Sequence, residues 1–191
     1  MKNSELNLSV DLGGSRTKVL GGVNFENRVA LTMEPSLAQV PSEIVTNQMG
    51  LENANLEDRV WIEVEGKTYA VGYLAKALTV TNPQLTALKS TMAMPKILGA
   101  IWVLKEKFQL SNYLNINLSC LLPPGEIKDR EKLKTELQQV FNQGIDTPTG
   151  KLTPKLNYYN CGSSLPFMLN QQTRCQDNIL LTQKFRKFLK P

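Results

Sequence analysis

The sequence predicts an α/β fold, a mixed sheet with helices packed on it. One observation is the order of its segments. Short alternating apolar runs come first, followed by a hairpin, a helix, a strand, a second helix and a further strand, and that order builds a mixed sheet rather than a bundle or a sandwich. The other is composition. Of 191 residues, 41% are hydrophobic and 20% charged, with 12 Gly and 10 Pro, which excludes a disordered, collagenous or disulfide-dense chain. A chain this long makes one domain or two small ones and buries roughly 70% of its unfolded surface.

The elements follow in order. Leu6, Leu8 and Val10 alternate with polar neighbours, Gly13-Gly14 break the run, and Val19-Leu20 resume it before Gly21-Gly22, so two strands joined by a turn are expected. A third strand, Val29 to Met33, stops at Pro35. Residues 36–58 are mixed and polar, with Pro41, Asn47, Gly50 and Asn53, and read mostly as loop. Val60–Val64 and Thr68–Val71 flank Glu65-Gly66-Lys67 and predict a tight hairpin. Tyr73 to Leu78 reads as a short helix ended by the Thr81-Asn82-Pro83 turn. A longer helix runs to about Phe108, beginning near Pro95 or kinked there, since proline is tolerated only in a first turn. Asn115 to Leu122 reads as a buried strand stopped by Pro123-Pro124-Gly125. Asp129 is placed to cap a helix whose buried stripe is Leu133, Leu137, Val140 and Phe141. Residues 144–150 read as loop, and Lys155 to Tyr159 as a strand.

Charge and residue usage narrow the chemistry. The chain contains no histidine, which removes Ser-His-Asp and Cys-His nucleophile systems, histidine metal sites and an imidazole base. The net charge of +5 is unevenly spread: residues 1–150 carry 15 Lys+Arg against 16 Asp+Glu, and residues 151–191 carry 7 against 1. An evenly charged body argues against a broad phosphate-tracking surface. Cys120, Cys161 and Cys175 are odd in number with no C-x-x-C pair, which suits free thiols in a reducing compartment. The longest apolar-plus-Gly run, Ile97 to Leu104, is far below the ~20 residues that span a bilayer, and residues 1–10 lack the apolar core of a leader. These features predict a soluble, cytoplasmic protein.

The segment that carries chemistry is Asp11-Leu12-Gly13-Gly14-Ser15-Arg16-Thr17-Lys18, in the turn between the first two strands. Adjacent glycines permit positive φ and close approach, so that successive N–H groups can cradle phosphate. Ser15 and Thr17 offer hydroxyls and Lys18 a point charge. Asp11 can hold waters of a hydrated Mg²⁺, an ion that keeps much of its shell. No Walker A pattern is present. The same eight residues also fit a plain hairpin turn.

The first strand and its D-x-G-G-S-x-T-K ending resemble the first phosphate loop of actin-like ATPases, most of all the bacterial plasmid-segregation branch, the ParM/StbA-like proteins. Three later segments fall in the family's order: the hairpin Trp61 to Gly72, the helix ending in Trp102, and Cys120-Leu121-Leu122-Pro123-Pro124-Gly125-Glu126 with the charged helix after it. The resemblance covers about residues 5 to 161. It implies an actin-like (ribonuclease H-like) first domain with a small inserted subdomain: residues 1–35 and 112–165 as the core subdomain, 36–111 as the insertion, and 166–191 as a basic tail unlike the family. It further implies one half of a clasp for ATP·Mg²⁺, with Asp11, Gly13, Gly14, Ser15, Arg16, Thr17 and Lys18 as nucleotide-binding residues and Asp11 positioning the metal's water.

The implied activity is nucleotide-dependent filament assembly of the plasmid-segregation type. Its partners would be copies of itself or another actin-like filament, with DNA reached through an adaptor. The second Asp-Gly phosphate loop of the family is not found, and Gly162-Ser163 stand where similar proteins carry a water-orienting glutamate, so the 191-residue chain is expected to hold ATP and Mg²⁺ weakly and to hydrolyse nothing. The rival readings are a non-catalytic interaction module and a truncated, non-functional product. In the tail, Leu181, Phe185, Phe188 and Leu189 share one helical face with basic residues opposite. Such a helix either docks on its own domain or meets an anionic membrane or acidic partner.

Overall fold

The computed structural model describes residues 4–24, 26–46, 53–79 and 88–163. The expected meander forms: β1 (Ser4–Leu12), β2 (Thr17–Gly22) and β3 (Arg28–Met33) follow one another, each antiparallel to the one before. The alternation in β1 sets its faces. Leu6, Leu8, Val10 and Leu12 are buried, and Asn7, Ser9 and Asp11 lie half-buried on the other side.

Residues 36–58 hold more structure than their polarity suggests. β4 (Leu37–Val40), a one-turn helix α1 (Ser42–Thr46) and a 3₁₀ turn at Leu56–Asp58 occupy them. Four residues carry little periodicity of their own, and β4 exists because it pairs antiparallel with the hairpin's second strand, a tertiary contribution that propensity does not contain. The hairpin itself is as expected, β5 (Trp61–Val64) and β6 (Lys67–Val71). Its turn puts Glu65 at φ 51° and Gly66 at φ 71°, the doubly left-handed geometry whose twist matches that of the strands. Helix α2 spans Tyr73–Leu78.

Helix α3 (Ala93–Lys107) places Pro95 in its first turn, resolving the choice between a start and a kink. β7 (Tyr113–Leu122) ends at the prolines, and a 3₁₀ stretch Pro124–Asp129 leads directly into α4 (Arg130–Gln143). Asp129 stands at the N-cap position but makes no capping bond; its carboxylate accepts from Ser90 Oγ at 2.8 Å instead. The stripe Leu133, Leu137, Val140 and Phe141 is buried. Residues 144–150, expected as loop, include β8 (Ile145–Thr147), which folds back antiparallel on β9 (Gly150–Ser163). The Thr81-Asn82-Pro83 turn, Cys175 and the basic tail lie outside the described residues.

Among the described residues, nine strands join one sheet in the order β3-β2-β1-β7-β9-β8-β5-β6-β4. β1, β7 and β9 run parallel, so Leu12, Leu122 and Ser163 end at one edge. β9 is the longest strand at 14 residues: its start pairs with β8 and the rest with β7, across a bulge between Ile116 and Asn117. One side of the β1/β7 region, formed by Leu6, Leu8, Val10, Leu114, Ile116 and Leu118, is buried in the same core as α3 and α4.

Helix α3 is the centre of that core, with every residue from Pro95 to Lys105 buried. It touches β1 and β2 as well as β5 and β6. Two glycines allow the approach: a Cβ on Gly21 would lie 2.2 Å from Leu104 Cδ1, and one on Gly99 2.8 Å from Val60 Cγ1. Trp102, fully buried, donates its indole N–H to Thr149 Oγ1 at 3.0 Å. Among the described residues no helix is long and apolar enough to cross a membrane.

Candidate functional site

The turn predicted to carry chemistry sits at the edge where the three parallel strands end, the place where ligands gather in open α/β sheets. Asp11 pairs directly with Lys18 across β1 and β2, and Leu12 with Thr17, leaving Gly13 to Arg16 as a four-residue connection. Pairing at successive positions puts Asp11 and Lys18 on one face and Leu12 and Thr17 on the other.

Gly13 acts by its size, and neither glycine acts by its dihedral freedom. Neither adopts positive φ, contrary to the expectation of a left-handed nest. A Cβ on Gly13 would stand 2.6 Å from the Arg16 carbonyl oxygen, and one on Gly14 would reach 3.7 Å from Lys89 Nζ. Gly14 thus lies at ordinary contact distance from a lysine 75 positions away in sequence. Ser15 is exposed. Arg16 is drawn aside into an ion pair with Glu34, which also holds Lys76 at 3.4 Å. Thr17 is buried on the core face, and its hydroxyl has no hydrogen-bond partner.

One acid and two lysines set the electrostatics around the turn. Burial pushes the Asp11 carboxyl upward from the usual carboxylate range, while Lys18 and Lys89 pull it back. Lys96, in the first turns of α3, is only 4% exposed; burial, aided by the nearby charge of Lys89, lowers it to about 8. Ser90, between these lysines in sequence, is held by both acids that follow β7. Its N–H donates to Glu126 Oε2 at 2.6 Å and its hydroxyl to Asp129.

Sequence reasoning missed Lys89, Lys96, Ser90 and Glu126. Only the return of the chain through β7 brings Glu126 and Asp129 beside Ser90, and nothing local records that. Lys96 did leave a signal, as a lone charge inside an apolar helical run.

The acids present suit a hydrated cation anchored by phosphate. Among the described residues no three His, Cys, Asp or Glu side chains cluster into a cage for a metal ion. A half-buried Asp11 beside a turn too tight for a Cβ fits Mg²⁺, which commonly takes one or two carboxylates and completes its shell with water and phosphate oxygens.

A meander, an inserted hairpin layer and a glycine turn at the parallel-strand edge define the first domain of an actin-type fold, and known proteins carry the same arrangement. Residues 9–149 match the model of the actin-like proteins' N-terminal domain. The chain belongs to that family.

Similar solved structures include the actin-like protein Alp7A, at 16% identity and TM-score 0.56, covering 84% of this chain and 45% of that one. AlfA from the B. subtilis plasmid pLS32, solved as a filament, is 13% identical with TM-score 0.53, covering 83% and 55%. Bacillus thuringiensis ParM with AMPPNP is 15% identical with TM-score 0.54, covering 83% and 45%. The chain therefore spans about half the length of the structures it matches. No curated protein matches it.

Proposed function

We propose that this chain forms the first half of a nucleotide clasp in an actin-like protein of the plasmid-segregation type, contributing the phosphate loop for ATP·Mg²⁺. The observation that carries the reading is the Asp11–Lys18 pair flanking a glycine turn at the edge where β1, β7 and β9 end, in a chain of the actin-like N-terminal family. Fixed backbone and a positioned cation stabilise phosphate charge without reorganising.

In this reading Gly13, Gly14 and Ser15 lie against the phosphates and Lys18 neutralises them. Asp11 orients water of the metal's shell. Arg16 acts through Glu34 to fix the turn, and Thr17 holds it from the core side. Bound Mg²⁺ would supply charge neutralisation at the phosphate oxygens. The neighbour solved with AMPPNP supports a nucleotide, and the AlfA filament supports self-association, with DNA engaged through an adaptor in the cytoplasm. Residues 1–35 and 112–165 are read as the core subdomain and 36–111 as its insertion; the outer position of β5, β6 and β4 in the sheet supports this for the strands, while α3, within 36–111, packs on both β1–β2 and β5–β6.

The test is a calorimetric titration of the chain with ATP·Mg²⁺ beside Asp11→Ala and Lys18→Ala. Each variant is expected to weaken binding about tenfold or more, the worth of one charge-assisted contact. A wild-type chain that binds no better than either variant overturns the reading.

A further inference from the structure

Two of the chain's cysteines stand side by side in the parallel part of the sheet. Cys120 of β7 and Cys161 of β9 are direct partners in the strand register. Both are free thiols in the core, 2% and 8% exposed. Partners on adjacent strands point to one face, and neighbouring strands lie about 4.7–4.9 Å apart. A disulfide joins residues whose Cα atoms are roughly 4.4–6.8 Å apart, so the backbone already holds this pair within bridging range.

The surroundings make the two sulfurs unequal. Cys120 lies deeper, and its one S–H proton is shared between Tyr159 Oη, at 3.9 Å, and Cys161. Tyr159, two positions before Cys161 on β9, donates its own proton to the Arg130 carbonyl at 2.9 Å, where α4 begins. The hydrogen bond from Cys120 holds the Cys161 thiol below its usual range, and the Arg130 charge adds to this against the cost of burial. The same bond, with burial, pushes Cys120 upward. Cys161 is therefore the readier nucleophile and Cys120 its protonated neighbour.

We propose that Cys120 and Cys161 form a reversible oxidation site that closes a disulfide between β7 and β9 when the protein meets a peroxide. The Cys161 thiolate attacks one oxygen of hydrogen peroxide and breaks the O–O bond. Cys161 becomes a sulfenic acid, and the departing hydroxide takes up the proton that Cys161 had released. The Cys120 sulfur then attacks the Cys161 sulfur and breaks its S–O bond, and the Cys120 proton leaves with that hydroxide as a second water. Two electrons pass from the sulfur pair to the peroxide. Bridged Cβ atoms sit about 3.8 Å apart, closer than the strand spacing, so closure draws β7 and β9 together and yields a bond that is easily reduced. In a reducing compartment such a bond is transient, which suits a sensor and not a staple.

The test treats the folded full chain with hydrogen peroxide, quenches it in acid and alkylates the remaining thiols in denaturant. Trypsin places the three cysteines on separate peptides, 108–128, 156–174 and 175–184, so mass spectrometry reads each pairing directly. The expected product joins 108–128 to 156–174 within one chain, and dithiothreitol returns it to two free thiols. Cys120→Ala is expected to stop at a Cys161 sulfenic acid that dimedone captures, and Cys161→Ala to leave Cys120 unoxidised. Cys175→Ala forms the same link as wild type. The wild-type map decides the matter whether or not the variants fold. Free thiols at both positions, under peroxide that fully oxidises glutathione in the same tube, overturn the proposal. A disulfide from either cysteine to Cys175 or to a second chain overturns it as well.

Discussion

An ammonium largely withdrawn from water beside another ammonium burdens the folded state wherever it stays protonated. For Lys96 the folded value is about 8 against an unperturbed 10.5. Below about pH 8 both states hold the proton, and the penalty is complete, on the order of 3 kcal/mol by linkage. Between those values the folded chain has released a proton that the unfolded chain keeps, so this group makes stability rise with pH. Urea unfolding at pH 7 is therefore expected to find Lys96→Met more stable than wild type by ~1–3 kcal/mol, with the gap closing toward pH 10.5. A gap that stays constant across that range would place the cause elsewhere.

At the scale of elements, α3 is fixed by what it is allowed to approach. Replacing a glycine inside a helix or strand by alanine ordinarily gains about 0.5–1 kcal/mol of backbone entropy. At Gly99 the new Cβ would meet Val60 at 2.8 Å, and at Gly21 it would meet Leu104 at 2.2 Å, contacts in a core that has no slack. Overpacking costs about 1–3 kcal/mol, so it wins. Gly99→Ala and Gly21→Ala are each expected to lower stability in denaturant titrations, and a stabilised variant would mean that α3 can shift outward freely. Elements of this kind divide sharply by how much of them sequence discloses. The hairpin 60–71, α2 and the α4 stripe were legible because their turn residues and periodicities are local. β4 and β8 were not, since strands of 4 and 3 residues carry too little periodicity to show: β4 owes its existence to β6, and β8 to the turn that folds it back on β9 and to one pair with β5. The site divides the same way: Asp11 to Lys18 is a contiguous signature, whereas Lys89 reaches it only through the fold, and the role of Gly13 as space rather than as left-handed backbone becomes visible only once the Arg16 carbonyl is in place.

For the molecule as a whole, phosphoryl transfer demands several positioned groups at once, and one loop with its lysine and one acid supplies part of them. Phosphate release from ATP·Mg²⁺ by the 191-residue chain is expected at background. Turnover above background that disappears in both Asp11→Ala and Lys18→Ala would show that copies of the chain complete one another's site. A different whole-molecule property follows from β9. Its first residues are zipped to β8 and the remainder to β7, so one strand is shared by the β8–β5–β6–β4 side of the sheet and the parallel strands. Partial unfolding of either side must then tear the same strand, and the two lose the independence that separate lobes joined by a linker would have. Amide protons of Leu114 to Leu118 and Val64 to Lys67 should therefore exchange through one common opening with a single denaturant dependence, the molecule melting as one cooperative unit. Two distinct opening free energies would show that β9 can be unzipped from one neighbour while it remains fastened to the other.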